Sequence, residues 1–180
     1  MGWFSKVRPD APYQPVPRAL ETASYVELKA RCEAVGQPLS ASLYLYEGRL
    51  LISAIRGIAE CGPIIGLSTD IDDETLGRTI CDQLLAFRAQ SPDDLRSRKL
   101  TDWEAYRASG AKSVKRFEER AWIVYIRAEH SLVRFEARPY RSPHEEVFAA
   151  GRASPDHADC GATLKRTLRA AEALRAAGVI

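Results

Sequence analysis

The chain has 180 residues, of which 46% are hydrophobic and 28% are charged, and its formal net charge is +2. This length suits one globular domain, which buries about 70% of its unfolded surface and needs no disulfide or metal. The charge is too small to indicate nucleic acid binding by itself, and the apolar runs are far shorter than the roughly 20 residues that cross a bilayer. The N-terminus shows no signal-peptide core and the four cysteines form no CxxC pair. A cytoplasmic protein with buried, reduced cysteines and no membrane partner is therefore predicted.

The first half begins with a proline-rich stretch, which predicts an extended arm over residues 1–19 followed by a single domain over residues 20–180. The dipeptide Glu47-Gly48 predicts a two-residue hairpin turn, because glycine readily adopts positive φ. Hydrophobic periodicity predicts a helix over residues 20–35 and strands over residues 41–46, 49–55 and 63–67.

The clearest helix follows, and Asp70 is predicted to cap it. Further acids in its first turn, Asp72, Asp73 and Glu74, favour the positive end of the helix dipole. A single apolar stripe indicates one buried face, formed by Leu76, Ile80, Leu84 and Phe87. An arginine-rich polar loop over residues 90–100 then separates this half from the next.

The second half repeats this plan. Ser154, with a proline and an acid directly behind it, predicts the start of a last helix that ends before Gly178. The other predicted elements are helices over residues 102–109 and 113–119 and strands over residues 121–127, 131–137 and 147–150.

The two strong helices align without a gap, so that Asp70 falls on Ser154 and Gly77 falls on Gly161. Glycine inside a helix costs about 1 kcal/mol relative to alanine, so we expect each glycine to allow a close approach of its helix to the sheet. The sequence thus predicts an α+β fold of two αβββα halves, related by duplication. The halves share a mostly antiparallel sheet with helices packed against it.

The sequence shows no phosphate-binding loop, dinucleotide-binding motif, metalloprotease motif or nucleophile elbow. The three histidines, His130, His144 and His157, are predicted to be exposed and lack metal-ligand spacing. The acids from Asp70 to Asp73 could hold a divalent ion in an enzyme of unrecognised type, but helix capping explains them without one. The prediction is a protein without catalytic residues, metal or cofactor.

A basic run with interleaved aromatic residues leaves open a nucleic-acid-binding module over residues 96–117. The favoured interpretation is that the aromatic residues belong to the core and the bases solvate its outer face. The run comprises Arg96, Arg98, Lys99, Arg107, Lys112, Lys115 and Arg116, with Trp103, Tyr106 and Phe117 between them.

A set of structural residues is spread over the helices and strands: Leu67-Ser68, Asp72, Leu76-Gly77, Ile80, Leu84, Gly110-Ala111-Lys112-Ser113, Phe117, Trp122-Ile123-Val124-Tyr125 and Cys160-Gly161. Through these residues the chain resembles, over residues 20–176, the immunity proteins of contact-dependent growth inhibition systems. Members of this family are small cytosolic proteins that bind the toxic C-terminal domain of a cognate effector, often a nuclease acting on tRNA. The resemblance therefore implies a protein partner and no direct nucleic acid partner, and leaves the oligomeric state open.

The implied mechanism is occlusion, in which an acidic surface mimics the phosphates of the toxin's substrate. The stretch over residues 57–77 supports this hypothesis, because it contains five acids and no base. The acids predicted to contact the toxin are Glu60, Asp70, Asp72, Asp73, Glu74, Glu118 and Glu119.

Overall fold

A computed structural model describes residues 22–91, 93–129, 132–144 and 146–180. The arm predicted over residues 1–19 and the prediction for His130 lie outside these ranges. The helices are α1 (Ala23–Val35), α2 (Asp73–Leu85), α3 (Glu104–Ser109), α4 (Val114–Arg120) and α5 (His157–Ala176). The strands are β1 (Leu39–Tyr46), β2 (Arg49–Arg56), β3 (Ala59–Ser68), β4 (Trp122–Glu129), β5 (Leu132–Pro139) and β6 (Ala149–Ala153). Within the described ranges, no helix is both long and apolar enough to cross a membrane.

The six strands form one antiparallel sheet in the order β3-β2-β1-β4-β5-β6. The predicted hairpin is confirmed, since Tyr46 pairs with Arg49 and both turn residues, Glu47 and Gly48, have positive φ. The predicted α+β fold, with an antiparallel sheet and helices packed against it, is confirmed. Duplication stays an interpretation of the repeated element order.

The main core lies on one face of the sheet, where α1, α2 and α5 pack. Alternate strand residues point to this face, as Leu43, Val124 and Phe135 do, and all three are fully buried. Ile80 of α2 and Leu164 of α5 meet them from above. Burial of these apolar side chains is the main source of stability.

The glycines in α2 and α5 mark a close approach, but not the approach to the sheet that the sequence predicted. A Cβ on Gly77 would lie 1.7 Å from the carbonyl oxygen of His157, and one on Gly161 would lie 2.1 Å from that of Asp73. Each glycine therefore lies against the first residue of the other helix. The prediction was wrong about the partner because it considered each helix against the sheet alone.

The caps of α2 and α5 also differ from those predicted. Asp72, not Asp70, accepts the N–H of Thr75 at 2.8 Å, and Asp156 accepts the N–H of Asp159 at 3.0 Å. An N-cap side chain accepts an N–H two or three residues after it, and these two aspartates hold that position. Both helices thus begin two residues later than predicted.

A second, smaller core lies on the opposite face, where α3 and α4 pack. Phe117 of α4 is fully buried there against Tyr44 and Tyr46 of β1, with ring centroids 5.6 and 5.2 Å away. The leading helices of the two halves therefore occupy opposite faces, since α1 belongs to the main core. The repeat does not extend to them.

Candidate partner-binding groove

The short helices α3 and α4 cover only part of the second face and leave a groove of about 710 Å³ beside them. Its floor is formed by residues of the two central strands, Ser42 and Tyr44 from β1 and Ile123 and Tyr125 from β4, of which Tyr125 is the exposed one. These four residues share one face because they are alternate residues of two paired strands. The groove is thus set by the register of β1 against β4.

Large apolar side chains are exposed around this groove. Ile58, in the turn between β2 and β3, is 86% exposed, Leu100 is 73% exposed and Tyr125 is 42% exposed. Scattered exposed apolar residues need no explanation, but three that line one concave surface are typical of a protein-binding site. Sequence reasoning missed all three as binding residues, because the exposure of an apolar side chain depends on the fold and leaves no local signal in the sequence.

Glu60 of β3 lies at one side of the groove and is held by donors from two other segments, β1 and the start of α3. Ser42 Oγ donates to Oε1 at 3.3 Å and Trp103 Nε1 donates to Oε2 at 3.1 Å. The hydroxyl of Tyr44 and the N–H of Ala105 also donate to this carboxylate. Glu60 therefore fastens α3 to the sheet, in addition to any contact with a partner.

Burial raises the pKa of Glu60, and the hydrogen bonds from Tyr44, Trp103 and Ser42 lower it by less. Burial, with the nearby Glu60 carboxylate, also raises the pKa of Tyr44, which keeps that hydroxyl protonated as a donor. A carboxyl with a raised pKa in the folded state binds its proton more tightly there than in the unfolded chain. The free energy of unfolding therefore falls as pH rises from the ordinary carboxyl pKa to the raised one.

We predict that Glu60→Gln removes this loss of stability with rising pH. As the pH rises above the ordinary carboxyl pKa, the stability of the variant should rise relative to that of the wild type, because residue 60 loses a proton only in the wild type. Urea unfolding at several pH values measures the difference. Glu119→Gln, at an exposed site on α4, controls for the loss of one negative charge. If the difference in stability between the variant and the wild type did not change with pH, burial would not raise the pKa of Glu60.

Glu118 of α4 also lines the groove. Its side chain is 15% exposed and accepts a hydrogen bond from Arg141 Nε at 3.0 Å, with a second, shorter contact from the same guanidinium. Tyr140 lines the same wall. Burial, with the Glu118 carboxylate beside it, raises the pKa of the Tyr140 hydroxyl. Glu60 and Glu118 are thus the two predicted acids that the fold brings to one groove.

The other predicted acids lie elsewhere. Asp70, Asp72, Asp73 and Glu74 surround the start of α2, on the face opposite the groove. Asp73 pairs with Lys165 at 2.7 Å, and Glu74 contacts Arg78 at 3.4 Å and His157 Nδ1 at 3.1 Å. Asp72 caps the helix, and its hydrogen bond from the Thr75 N–H lowers its pKa. Glu119 is exposed on α4 and lies 3.8 Å from Lys115. The seven acids therefore do not form one surface.

Two other sequence interpretations have clear outcomes. The aromatic residues of the basic run do belong to the core, since Phe117 is buried and Trp103 and Tyr106 pack around it.

His144 is exposed as predicted, but the prediction was wrong for His157. Its ring is partly buried because Nε2 lies 2.8 Å from Ser24 Oγ of α1 while Nδ1 faces α2. Among the described residues, no group of three or more His, Cys, Asp or Glu could hold a metal ion.

No family model and no curated protein matches the sequence, but solved structures match the fold. One is a protein of unknown function from Neisseria meningitidis, with 22% identity and a TM-score of 0.54 over 74% of this chain and 94% of that one. Another belongs to a CdiA-CT/CdiI toxin and immunity complex from Yersinia pseudotuberculosis, with 16% identity and a TM-score of 0.54 over 74% of this chain and 97% of that one. The chain shares their fold. At these identities the likeness concerns architecture alone.

Proposed function

We propose that this chain is an immunity protein that binds and neutralises the toxic domain of a cognate effector. The observation that carries the proposal is the fold shared with a chain of a toxin and immunity complex over 97% of that chain's length. The groove with its exposed apolar rim gives independent support, because such a surface suits a protein partner. The protein would act by binding, in the cytoplasm, and without catalysis of its own.

The finer proposal follows from the resemblance in the sequence. The toxin would belong to a contact-dependent growth inhibition effector and be a nuclease, with tRNA as one substrate class, and the immunity protein would occlude its active site. We assign the main contact to the groove, because its exposed apolar side chains line one concave surface. The acids at the start of α2 would act mainly by steering the encounter, because Asp73 and Glu74 are already paired within the protein.

Titration against the C-terminal toxin domain encoded directly upstream tests this proposal. We expect a Kd in the nanomolar range for the wild type. Ile58→Asp and Leu100→Asp should each weaken binding by about tenfold or more, because apolar anchors in a binding surface contribute at least 1.4 kcal/mol each. Both side chains are exposed, so neither change should disturb the fold.

Substitutions on other surfaces distinguish binding in the groove from electrostatic steering of the toxin by the acids at the start of α2. Asp70→Lys should slow association and reduce its salt dependence with little effect on dissociation. Glu33→Lys, at an exposed site on α1, should change neither. Absence of wild-type binding to the domain would contradict the proposal.

The alternative of a nucleic-acid-binding module over residues 96–117 gains no support from the packing. Stacking on bases needs open aromatic faces, whereas Phe117 is buried and Trp103 lies edge-on against it at 4.9 Å. Steeply salt-dependent binding of RNA or DNA by the free protein would favour this alternative.

A further inference from the structure

Three arginines lie side by side across the uncovered strands of the second face. Arg127 of β4 pairs with Arg134 of β5, and Arg134 pairs with Arg152 of β6. Directly paired residues of antiparallel strands point to the same face, with Cβ atoms about 5 Å apart. We call these three residues the arginine row.

The arginine row lowers the stability of the free protein, because like charges directly opposite each other on a sheet are destabilising. Arg134 lies 3.7 Å from Glu129 and 3.6 Å from Glu136, so the nearby acids compensate the central arginine. Over the described part of the chain, neither Arg127 nor Arg152 forms an ion pair with any carboxylate. The two outer arginines thus add positive charge that the protein itself does not balance.

The arginine row continues the groove. Arg127 lines the groove's edge. It is the next residue of β4 after the half-exposed Tyr125 that points to this face. Tyr125 in turn stacks beneath Arg138, whose guanidinium lies 5.9 Å from the ring centroid. Arginine and tyrosine are both enriched in protein interfaces and among the residues that contribute most to binding.

We propose that the arginine row binds an acidic segment of the protein partner, whose carboxylates pair with the guanidinium groups. This inference rests on the proposed function for the identity of the partner as a toxin domain. The planar guanidinium matches a carboxylate with two parallel hydrogen bonds, which gives orientation as well as attraction. Alternate side chains of an extended segment are roughly 7 Å apart, within reach of arginines on neighbouring strands.

The acids beside the arginine row favour a peptide over a nucleic acid. Glu129 and Glu136 flank Arg134, and a continuous phosphate backbone crossing the arginine row would pass close to both. An acidic segment carries its charges on separate side chains and can place neutral residues opposite these glutamates. A formal net charge of +2 adds little general attraction for nucleic acid.

The first test uses a hexaglutamate peptide as the probe. Titrated at low salt into the ¹⁵N-labelled protein, it should shift the resonances of β4 to β6 around the arginine row. The double variant Arg127→Gln, Arg152→Gln should weaken this binding by about tenfold or more. Arg169→Gln, which removes an exposed arginine from α5 on the opposite face, is the matched control and should bind as the wild type does. Circular dichroism checks that each variant is folded.

The second test repeats the comparison with the upstream toxin domain, and the outcomes are distinguishable. Peptide binding at the arginine row without toxin binding would overturn the proposed function but leave the acid-binding surface standing. Toxin binding that the double variant does not weaken would overturn the arginine row as a contact and leave the function standing. The inference also fails if the peptide causes no shifts there, or if a single-stranded oligonucleotide of equal charge binds the arginine row as tightly as the peptide.

Discussion

Replacing Gly161 with alanine should destabilise the protein strongly, although alanine is the better helix former by about 1 kcal/mol. The added Cβ would lie 2.1 Å from a backbone oxygen of α2, and no change of rotamer can relieve a contact with backbone. The helices α2 and α5 must therefore move apart and loosen the main core between them. We expect a loss of about 3 kcal/mol in the free energy of unfolding, and a similar loss for Gly77→Ala.

Urea denaturation of both variants measures this loss. Ala170→Gly, at an exposed position of α5, is the reverse substitution without a packing contact and should cost about 1 kcal/mol from helix propensity alone. If either glycine variant were as stable as the wild type, the helices would not approach as closely as described. The double variant Gly77→Ala, Gly161→Ala should be non-additive, because either change alone separates the same pair of helices.

Phe117→Ala should be comparably severe for the second core. Phe117 is fully buried, and its ring lies 4.9 Å from that of Trp103 and 5.2 Å from that of Tyr46. Its removal leaves a cavity under α3 and α4, with an expected loss of about 3–5 kcal/mol. The groove should be distorted as well, because Trp103 packs against this ring and donates a hydrogen bond to Glu60.

Two milder substitutions give a scale for the stability loss of Phe117→Ala. Phe117→Leu keeps most of the apolar volume and should lose about 1–2 kcal/mol. Val26→Ala, at a site that is 52% exposed on α1, should stay within about 0.5 kcal/mol of the wild type. The denaturation midpoint should be highest for Val26→Ala, lower for Phe117→Leu and lowest for Phe117→Ala. A Phe117→Ala protein of wild-type stability would mean that α3 and α4 contribute little to folding.

The elements were predictable because their signals are local. The dipeptide Glu47-Gly48 could form only a tight turn between two apolar runs, and the stripe from Leu76 to Leu84 repeats with the period of a helix. The exact caps were harder. Asp70 and Asp72 have the same side chain, and the choice between them depends on where the chain leaves β3.

The candidate site was less predictable because it depends on which face each residue reaches. Glu60 and Asp72 lie in one acidic stretch of sequence, yet one reaches the second face of the sheet and the other caps a helix on the first. The donors to Glu60 come from segments that only the folded sheet brings together. The arginine row likewise needs the register of three strands, although period-two alternation already places Arg127 and Arg134 on the solvent side of their strands.

The most direct test of the central claim is growth of cells that express the upstream toxin domain, with and without this protein. The proposed function predicts that the wild type restores growth and that Ile58→Asp with Leu100→Asp protects poorly at equal expression, while Glu33→Lys protects fully. Continued growth arrest in the presence of the folded wild-type protein would contradict the claim that this chain neutralises that toxin.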